Sequence, residues 1–153
     1  MEEEIPNISV AFLGDEKIGN HIANYFKTGN KKCSSNAFSK NVHFITMKIK
    51  DYNYVNFQII VTKSLNENKN YHKKNFYHVP AVVFIWDKTS KESFNELKEN
   101  LKEVNQLTKN AFKAIVSTHE GSQTDITETK ELDRIAEDLN CKTILSIMMV
   151  FQF

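Results

Sequence analysis

The sequence predicts an α/β protein with a mostly parallel six-stranded sheet, one antiparallel edge strand and helices on both faces. Short apolar runs alternate along the chain with segments whose apolar residues recur at helical spacing, which is typical of strand–helix–strand units. Two of the predicted strands follow each other directly as a hairpin, which makes one sheet edge antiparallel. Since the 153 residues contain no repeat and no Pro/Ser-rich linker, we expect one domain, 1–153.

The patterns in the first half of the chain predict three strands and one helix with clear apolar periodicity. The apolar run 8–13 ends at Gly14 and suits a strand buried on both faces. Apolar residues recur at helical spacing between Gly19 and Thr28, which predicts a helix. Apolar and polar residues alternate on both sides of a turn within 42–62, which predicts the hairpin. The polar stretch 63–79 has weak periodicity and predicts only a poor helix.

The second half continues the alternation of strand and helix. The run 81–86 is fully apolar and predicts another buried strand. Thr89 and Glu92 have the form of a capping box, which begins a helix with an apolar stripe from Phe94 to Leu107. The remaining patterns predict a strand at 111–116, a helix at 130–140 and a last strand at 142–149.

Composition excludes several classes of protein. The net charge is +1 with lysines and acids interspersed, so no broad basic surface for nucleic acid is expected. The acidic start MEEEIPN is not a signal peptide, no apolar run reaches the roughly 18 residues of a membrane span, and the C-terminus has no cysteine for a prenyl anchor. We therefore expect a cytoplasmic protein without a direct membrane anchor.

Two segments of the chain carry recognisable patterns. Residues 10–15 are a mainly apolar run that ends in Gly14 and Asp15, and residues 87–94 read D-x-T-x-x-x-S-F, with Asp87, Thr89, Ser93 and Phe94. The first pattern is similar to the strand that leads into the phosphate loop of the Ras/Rab-type small GTPases, and residues 82–94 are similar to the segment of that family that reads V-Y-D-x-T-x-x-x-S-F. The resemblance covers about 8–149 and implies a small-GTPase-like fold of the P-loop NTPase type. It also implies that the C-terminal helix, which covers one sheet face in the family, is missing here.

The phosphate loop of the family, GxxxxGK[ST], is altered in this chain. Its glycines let backbone amides surround the phosphates, its lysine contacts the β- and γ-phosphates, and its hydroxyl binds magnesium. Gly14 and Gly19 keep the spacing, but Asn20 replaces the lysine and His21 replaces the hydroxyl residue. Lys17, within the loop, is the remaining cation that could substitute for the lost lysine.

The other nucleotide motifs are also altered. The motif DxxGQ corresponds to Val61–Leu65, so no carboxylate, glycine or glutamine is present where magnesium and the attacking water would be held. The guanine motif NKxD corresponds to Thr118–Gly121 and has no aspartate. The motif SAK corresponds to Ser146–Met149, where only the serine matches. Loss of four motifs around one ligand indicates that the ligand itself has been lost.

We therefore interpret the chain as a pseudo-GTPase, a Rab-like domain without catalytic residues, cofactor or metal. The predicted function is that of a protein-interaction or structural subunit of a larger complex, and by family analogy a cytoskeletal, ciliary or trafficking complex. The alternative is a divergent NTPase that binds GTP or GDP weakly through Gly14, Lys17 and Gly19. The five histidines match no zinc motif, so no metal site is expected.

The expected partner is a protein that covers the sheet face left open at the C-terminus, where Val150, Phe151 and Phe153 add to the apolar surface. Further partner-binding candidates lie in the region of the second switch, namely Tyr71, Phe76 and Tyr77. Residues 69–78 also interleave basic and aromatic side chains, which leaves a lesser alternative of single-stranded nucleic-acid binding. Nucleic acid is disfavoured because the rest of the domain is not basic.

Overall fold

The computed structural model describes residues 4–28, 41–50, 53–64, 79–107, 110–120, 129–138, 141 and 143–149. Six strands and three helices lie in this part of the chain, and the α/β class is confirmed. In chain order they are β1 (Asn7–Gly14), α1 (Glu16–Thr28), β2 (Val42–Ile49), β3 (Asn53–Thr62), β4 (Ala81–Asp87), α2 (Lys91–Leu107), β5 (Phe112–Glu120), α3 (Thr129–Asp138) and β6 (Thr143–Met149).

The strands form one mixed sheet in the order β2-β3-β1-β4-β5-β6. The β2–β3 pair is antiparallel and the other pairs are parallel. β1 lies between β3 and β4, so that Val10 pairs with Ile59 on one side and with Ala81 on the other. The direction of winding reverses at β1, and in open α/β sheets ligands bind beside the carboxyl end of a strand at such a reversal. The carboxyl end of β1 is therefore the first place to look for a site.

Helices cover both faces of the sheet. On one face, α2 and α3 pack over β1, β4 and β5, with Phe84, Phe94, Leu101 and Ile115 at the centre of that core. We call the opposite face the α1 face, because Ala23 of α1 packs there against β1, β3 and β4. Since β1, β4 and β5 are apolar on both sides, their burial between two layers is what the hydrophobic effect favours.

Several predicted boundaries are wrong, and hydrogen bonds explain them. α1 begins at Glu16 rather than Gly19 because Asp15 caps it. α2 is capped by Ser90, whose hydroxyl accepts a bond from the amide of Ser93 at 3.1 Å, so Thr89 is not the cap. β5 continues beyond residue 116 to Glu120 because its polar residues still pair with β4 and β6. Most of the predicted poor helix at 63–79 lies outside the described residues.

Candidate functional site

Gly14 joins the end of β1 closely to β4. Its φ of +136° lies in the region that glycine tolerates and other residues avoid. A Cβ atom at this position would overlap the carbonyl oxygen of Ile85 on β4. The glycine is thus required by the packing of two strands, independently of any ligand.

The amino end of α1 is capped by the chain itself. The Asp15 carboxylate accepts a hydrogen bond from the amide of Ile18 at 2.9 Å, and the Asp15 carbonyl accepts the first helical bond from Gly19 at 2.9 Å. These are backbone donors that a phosphate-binding loop would turn towards its ligand. Residues 16–19 are instead the first turn of the helix, with a negative charge already placed at its positive end.

Gly19 lets α1 approach the sheet closely. A Cβ atom on Gly19 would lie 2.7 Å from the Cγ1 of Val61 on β3, closer than two carbon atoms can normally approach. Val61 itself is buried and stands at the position where the family has its magnesium-associated aspartate. An aliphatic side chain therefore packs against the helix at the point where the chemistry would need a carboxylate.

Asn20 belongs to a polar cluster between α1 and β2. Its side-chain amide donates to Asn41 Oδ1 at 2.9 Å, and its own Oδ1 lies 2.7 Å from His43 Nε2. The carbonyl of Asn41 also accepts a bond from the amide of Val61 at 2.8 Å, which ties the start of β2 to β3. The position of the family's phosphate-binding lysine is therefore used for an internal contact. We call Asn20, Asn41 and His43 the α1–β2 cluster.

His43 is buried, with 4% of its surface exposed. Burial lowers the pKa of His43 below its ordinary value, and the nearby positive charge of Lys27 lowers it further. The spacing of the histidines along the chain gave no indication that His43 would be buried in a hydrogen-bonded cluster. A signal was present, because His43 precedes Ile45 and Met47 on the inward side of an alternating strand.

The remaining loop candidates, Lys17 and His21, lie four residues apart on the surface of α1. Lys17 and His21 are both exposed on α1, one in its first turn and the other in its second. Among the described residues, no group of three or more His, Cys, Asp or Glu side chains could hold a metal ion. Gly14, Gly19 and Asn20 are explained by packing and internal hydrogen bonds, so the structure brings these residues together for a structural purpose.

The segment after β3 is also tied to the protein itself. The Asn100 side chain on α2 donates to the carbonyl of Lys63 at 3.0 Å, and the Thr62 hydroxyl donates to the carbonyl of Ser64 at 3.2 Å. Lys63 lies 3.5 Å from Glu96 in an exposed ion pair. Leu65, the last position of this motif, lies outside the described residues. The described part of the motif is thus held by α2.

The described residues that correspond to the guanine motif lie in strand β5. Thr118 is buried, its hydroxyl donates to the carbonyl of Trp86 at 3.3 Å, and its carbonyl accepts from the amide of Lys88 at 2.8 Å. Gly121 lies outside the described residues. Ser146 lies within β6 and pairs with Ser117, so the residues that correspond to the SAK motif form part of a strand and not a loop.

The residues that carry the family resemblance form one structural unit at the junction of β4 and α2. Asp87 Oδ1 accepts from the amide of Thr89 at 2.8 Å and from its hydroxyl at 2.6 Å. The Ser93 hydroxyl accepts from the amide of Asp87 at 2.9 Å. Phe94 is buried against Trp86, with ring centroids 5.0 Å apart. All four matched positions therefore stabilise the strand-to-helix turn.

An apolar groove of about 290 Å³ opens on the α1 face. Each of α1 and β1 to β5 contributes two lining residues, and all twelve are hydrophobic: Val10, Phe12, Ile22, Phe26, Ile45, Met47, Phe57, Ile59, Val83, Ile85, Ala114 and Val116. At its edge Phe26 is 43% exposed, and the neighbouring Tyr25 is 75% exposed but does not line the groove. We call this feature the α1-face groove.

The other predicted partner-binding residues cannot be placed. Tyr71, Phe76, Tyr77, Val150, Phe151 and Phe153 all lie outside the described residues. Within the described part of the chain, the structure contains no helix that is both long enough and apolar enough to cross a lipid bilayer. Comparison with protein-family models and with curated proteins found no match for the chain.

Proposed function

We propose that this chain is a non-catalytic, small-GTPase-like domain that serves as a protein-interaction or structural subunit of a larger assembly. The observation that carries the proposal is the Asp15 cap of α1, together with the four altered nucleotide motifs. The sheet order, with its reversal at β1, is compatible with a protein descended from a nucleotide-binding domain. Cytoskeletal, ciliary and trafficking assemblies are the settings to test first, by analogy with the family.

Electrostatics opposes a nucleotide at the end of β1. A triphosphate would meet the carboxylate of Asp15 at the amide that should receive it, and like charges at such a distance repel. Asn20 brings no positive charge, and its side chain is already bonded to Asn41 and His43. Charge-assisted contacts to phosphate are worth roughly 1.5–3 kcal/mol each, so losing them removes most of the affinity that a phosphate loop provides.

The α1-face groove is the surface that favours a role in protein interaction. Its lining contains no polar side chain, and its edge exposes an aromatic ring at Phe26. Removing the exposed part of this apolar lining from water against a partner would be favourable. The groove thus supplies an apolar contact surface where the end of β1 supplies no catalytic groups.

Calorimetric titration tests the loss of nucleotide binding. The purified protein should show no heat of binding with GDP, GTP or ATP, with or without magnesium, up to about millimolar ligand, since the charges that hold a triphosphate are absent. The variant Asp15→Asn keeps a capping side chain but removes its negative charge. It is the matched control for the effect of that charge on nucleotide binding. If the unmodified protein binds GDP or GTP with micromolar affinity, the domain is a divergent nucleotide-binding protein and the proposal is wrong.

Paired variants of α1 test the interaction surface. A tagged form is purified from cells and the co-purifying proteins are quantified by mass spectrometry for the unmodified chain, Phe26→Glu and Tyr25→Glu. Phe26→Glu places a charge in the groove and should abolish specific partners, because burying that charge costs several kcal/mol. Tyr25→Glu changes the adjacent exposed side chain and should retain them. Identical protein sets for all three forms would exclude the groove as the contact surface.

A further inference from the structure

The hydrogen bonds of the α1–β2 cluster fix which ring nitrogen of His43 is the donor. Because the Asn20 amide nitrogen donates to Asn41, the Asn20 oxygen is the acceptor, and His43 must donate from Nε2–H. The other ring nitrogen, Nδ1, is then a lone-pair acceptor. It is buried and has no hydrogen-bond partner among the described residues. An imidazolium could still donate from Nε2, but its second N–H would be buried without a partner among the described residues, so the site favours the neutral ring.

The surroundings of His43 offer no compensation for a positive charge. On α1, Lys27 is close enough for its positive charge to act on the ring, whereas His21 lies on the exposed side of the helix. On β3, His43 pairs with Ile59, which is apolar and buried. On β2 itself the next inward residue is Ile45, also buried. A protonated ring would meet a like charge and apolar side chains.

We propose that His43 is an acid-sensitive latch that holds α1 on β2 and releases it when the buried ring takes up a proton. Protonation of Nδ1 makes the ring cationic in a site without a counter-charge among the described residues, so the favoured response is to bring the ring to water. His43 reaches water by separation of β2 from α1, which breaks its bond to Asn20.

Release of the latch would also alter the α1-face groove. Ile22 and Phe26 of α1 form one side of the groove, and Ile45 of β2 forms part of the other. The latch lies between the same two elements, so separating them changes the shape of the groove. The latch concerns the stability of the fold and does not depend on the proposed function. An occupant of the groove would be bound more weakly in acid.

Hydrogen exchange measured by NMR tests the latch. Exchange of α1 and β2 amides is followed at about pH 7 and about pH 5, with rates corrected for intrinsic exchange, and compared with that of α2 amides. In the unmodified protein, opening of α1 and β2 should increase on the order of tenfold in acid while α2 changes less. The ring proton signals of His43 should titrate below the range of an ordinary histidine.

Two variants make the result decisive. His43→Gln keeps an amide donor in reach of Asn20 but cannot take up a proton, so it should remove the acid-induced opening. His21→Gln changes the exposed histidine of the same helix and should leave the opening as it is in the unmodified protein. The latch is refuted if His43→Gln opens in acid as much as the unmodified chain, if no form opens, or if His43 titrates at or above the ordinary range.

Discussion

At the scale of single residues, Asp15 determines what the end of β1 can do. Its carboxylate satisfies the Ile18 amide that would otherwise be available to an anion. An N-cap of this kind stabilises a helix. The same carboxylate that stabilises α1 therefore occupies an amide at its amino end.

The first prediction concerns this cap. Asp15→Ala removes the acceptor for the Ile18 amide and should lower the free energy of unfolding by about 0.5–2 kcal/mol, measured by urea denaturation. Asp15→Asn retains a capping oxygen and should lose less. Equal stability of the alanine variant and the unmodified protein would show that the cap contributes nothing.

The second prediction concerns the contact between Gly19 and Val61. Gly19→Ala improves helix propensity by up to about 1 kcal/mol, but its methyl group would lie 2.7 Å from a stiff β-branched side chain. The contact should dominate, so the variant should lose about 1–3 kcal/mol of stability. In the Val61→Ala background the same alanine has room and should cost less or become stabilising. Additive losses in this double-mutant cycle would contradict the close contact.

The sequence shows an unusual spacing of residues more readily than the packing contacts that explain it. The spacing of Gly14 and Gly19 is visible in the sequence and resembles a phosphate loop. The structure explains both glycines by close backbone and side-chain approaches to Ile85 and Val61, which are distant in sequence. The inward position of His43 follows from the alternation in β2, but its hydrogen bonds to another element do not. Long-range contacts of this kind leave no local pattern.

At the scale of elements, the junction of β4 and α2 shows what the four residues that resemble the small-GTPase segment do in this fold. Asp87, Thr89 and Ser93 bond to one another, and Phe94 fills the core below them. Selection for a stable turn suffices to keep these residues, whether or not a nucleotide is present. The signature is therefore informative about the fold and silent about activity.

The third prediction concerns this junction. Asp87→Ala removes the acceptor for both the amide and the hydroxyl of Thr89, and should lower the stability by about 1–3 kcal/mol. Ser93→Ala removes one acceptor and should lose about 1 kcal/mol. Lys91→Ala, on the exposed side of α2, is the control and should change little. Thermal unfolding measures all three, and similar midpoints for all of them would exclude a stabilising role of the junction.

Elements with strong periodicity were well predicted, and those whose ends depend on hydrogen bonds were not. The predicted hairpin at 42–62 corresponds to β2 and β3, and the apolar stripe from Phe94 correctly predicts α2. The start of α1 was misplaced because the Asp15 cap was interpreted as part of a loop. The end of β5 was misplaced because Ser117 and Thr118 are polar, although both are buried and paired. Polar strand residues lack the hydrophobic signal on which such predictions depend.

At the scale of the whole molecule, the two faces of the sheet differ in how they are covered. α2 and α3 enclose one face in a continuous core, whereas the α1 face carries the open groove. The lining of the groove could not be predicted from the sequence, because its residues come from six elements and meet only when the strand order is known. The same residues read along the chain are indistinguishable from ordinary core positions.

The fourth prediction concerns the groove in the isolated protein. A fluorescent apolar dye such as anilinonaphthalene sulfonate should bind the folded protein near neutral pH, because the groove is lined by hydrophobic side chains and Phe26 is exposed at its edge. Phe26→Glu should reduce the dye fluorescence several-fold, and Tyr25→Glu should leave it nearly unchanged, since only Phe26 lines the groove. Circular dichroism confirms that each variant is folded. Equal dye binding by both variants would place the apolar surface elsewhere.

The central position of β1 has a consequence for biosynthesis. Of the six described strands, β1 is synthesised first, yet one of its neighbours begins only at Ala81 and β5 follows at Phe112. Until those strands are made, Val10 and the residues beside it have an unpaired edge. Nascent chains stalled before Ala81 should therefore recruit chaperones, and chains stalled after β5 should do so far less. Because β4 is synthesised long after β1, one edge of the central strand β1 stays unpaired during much of synthesis.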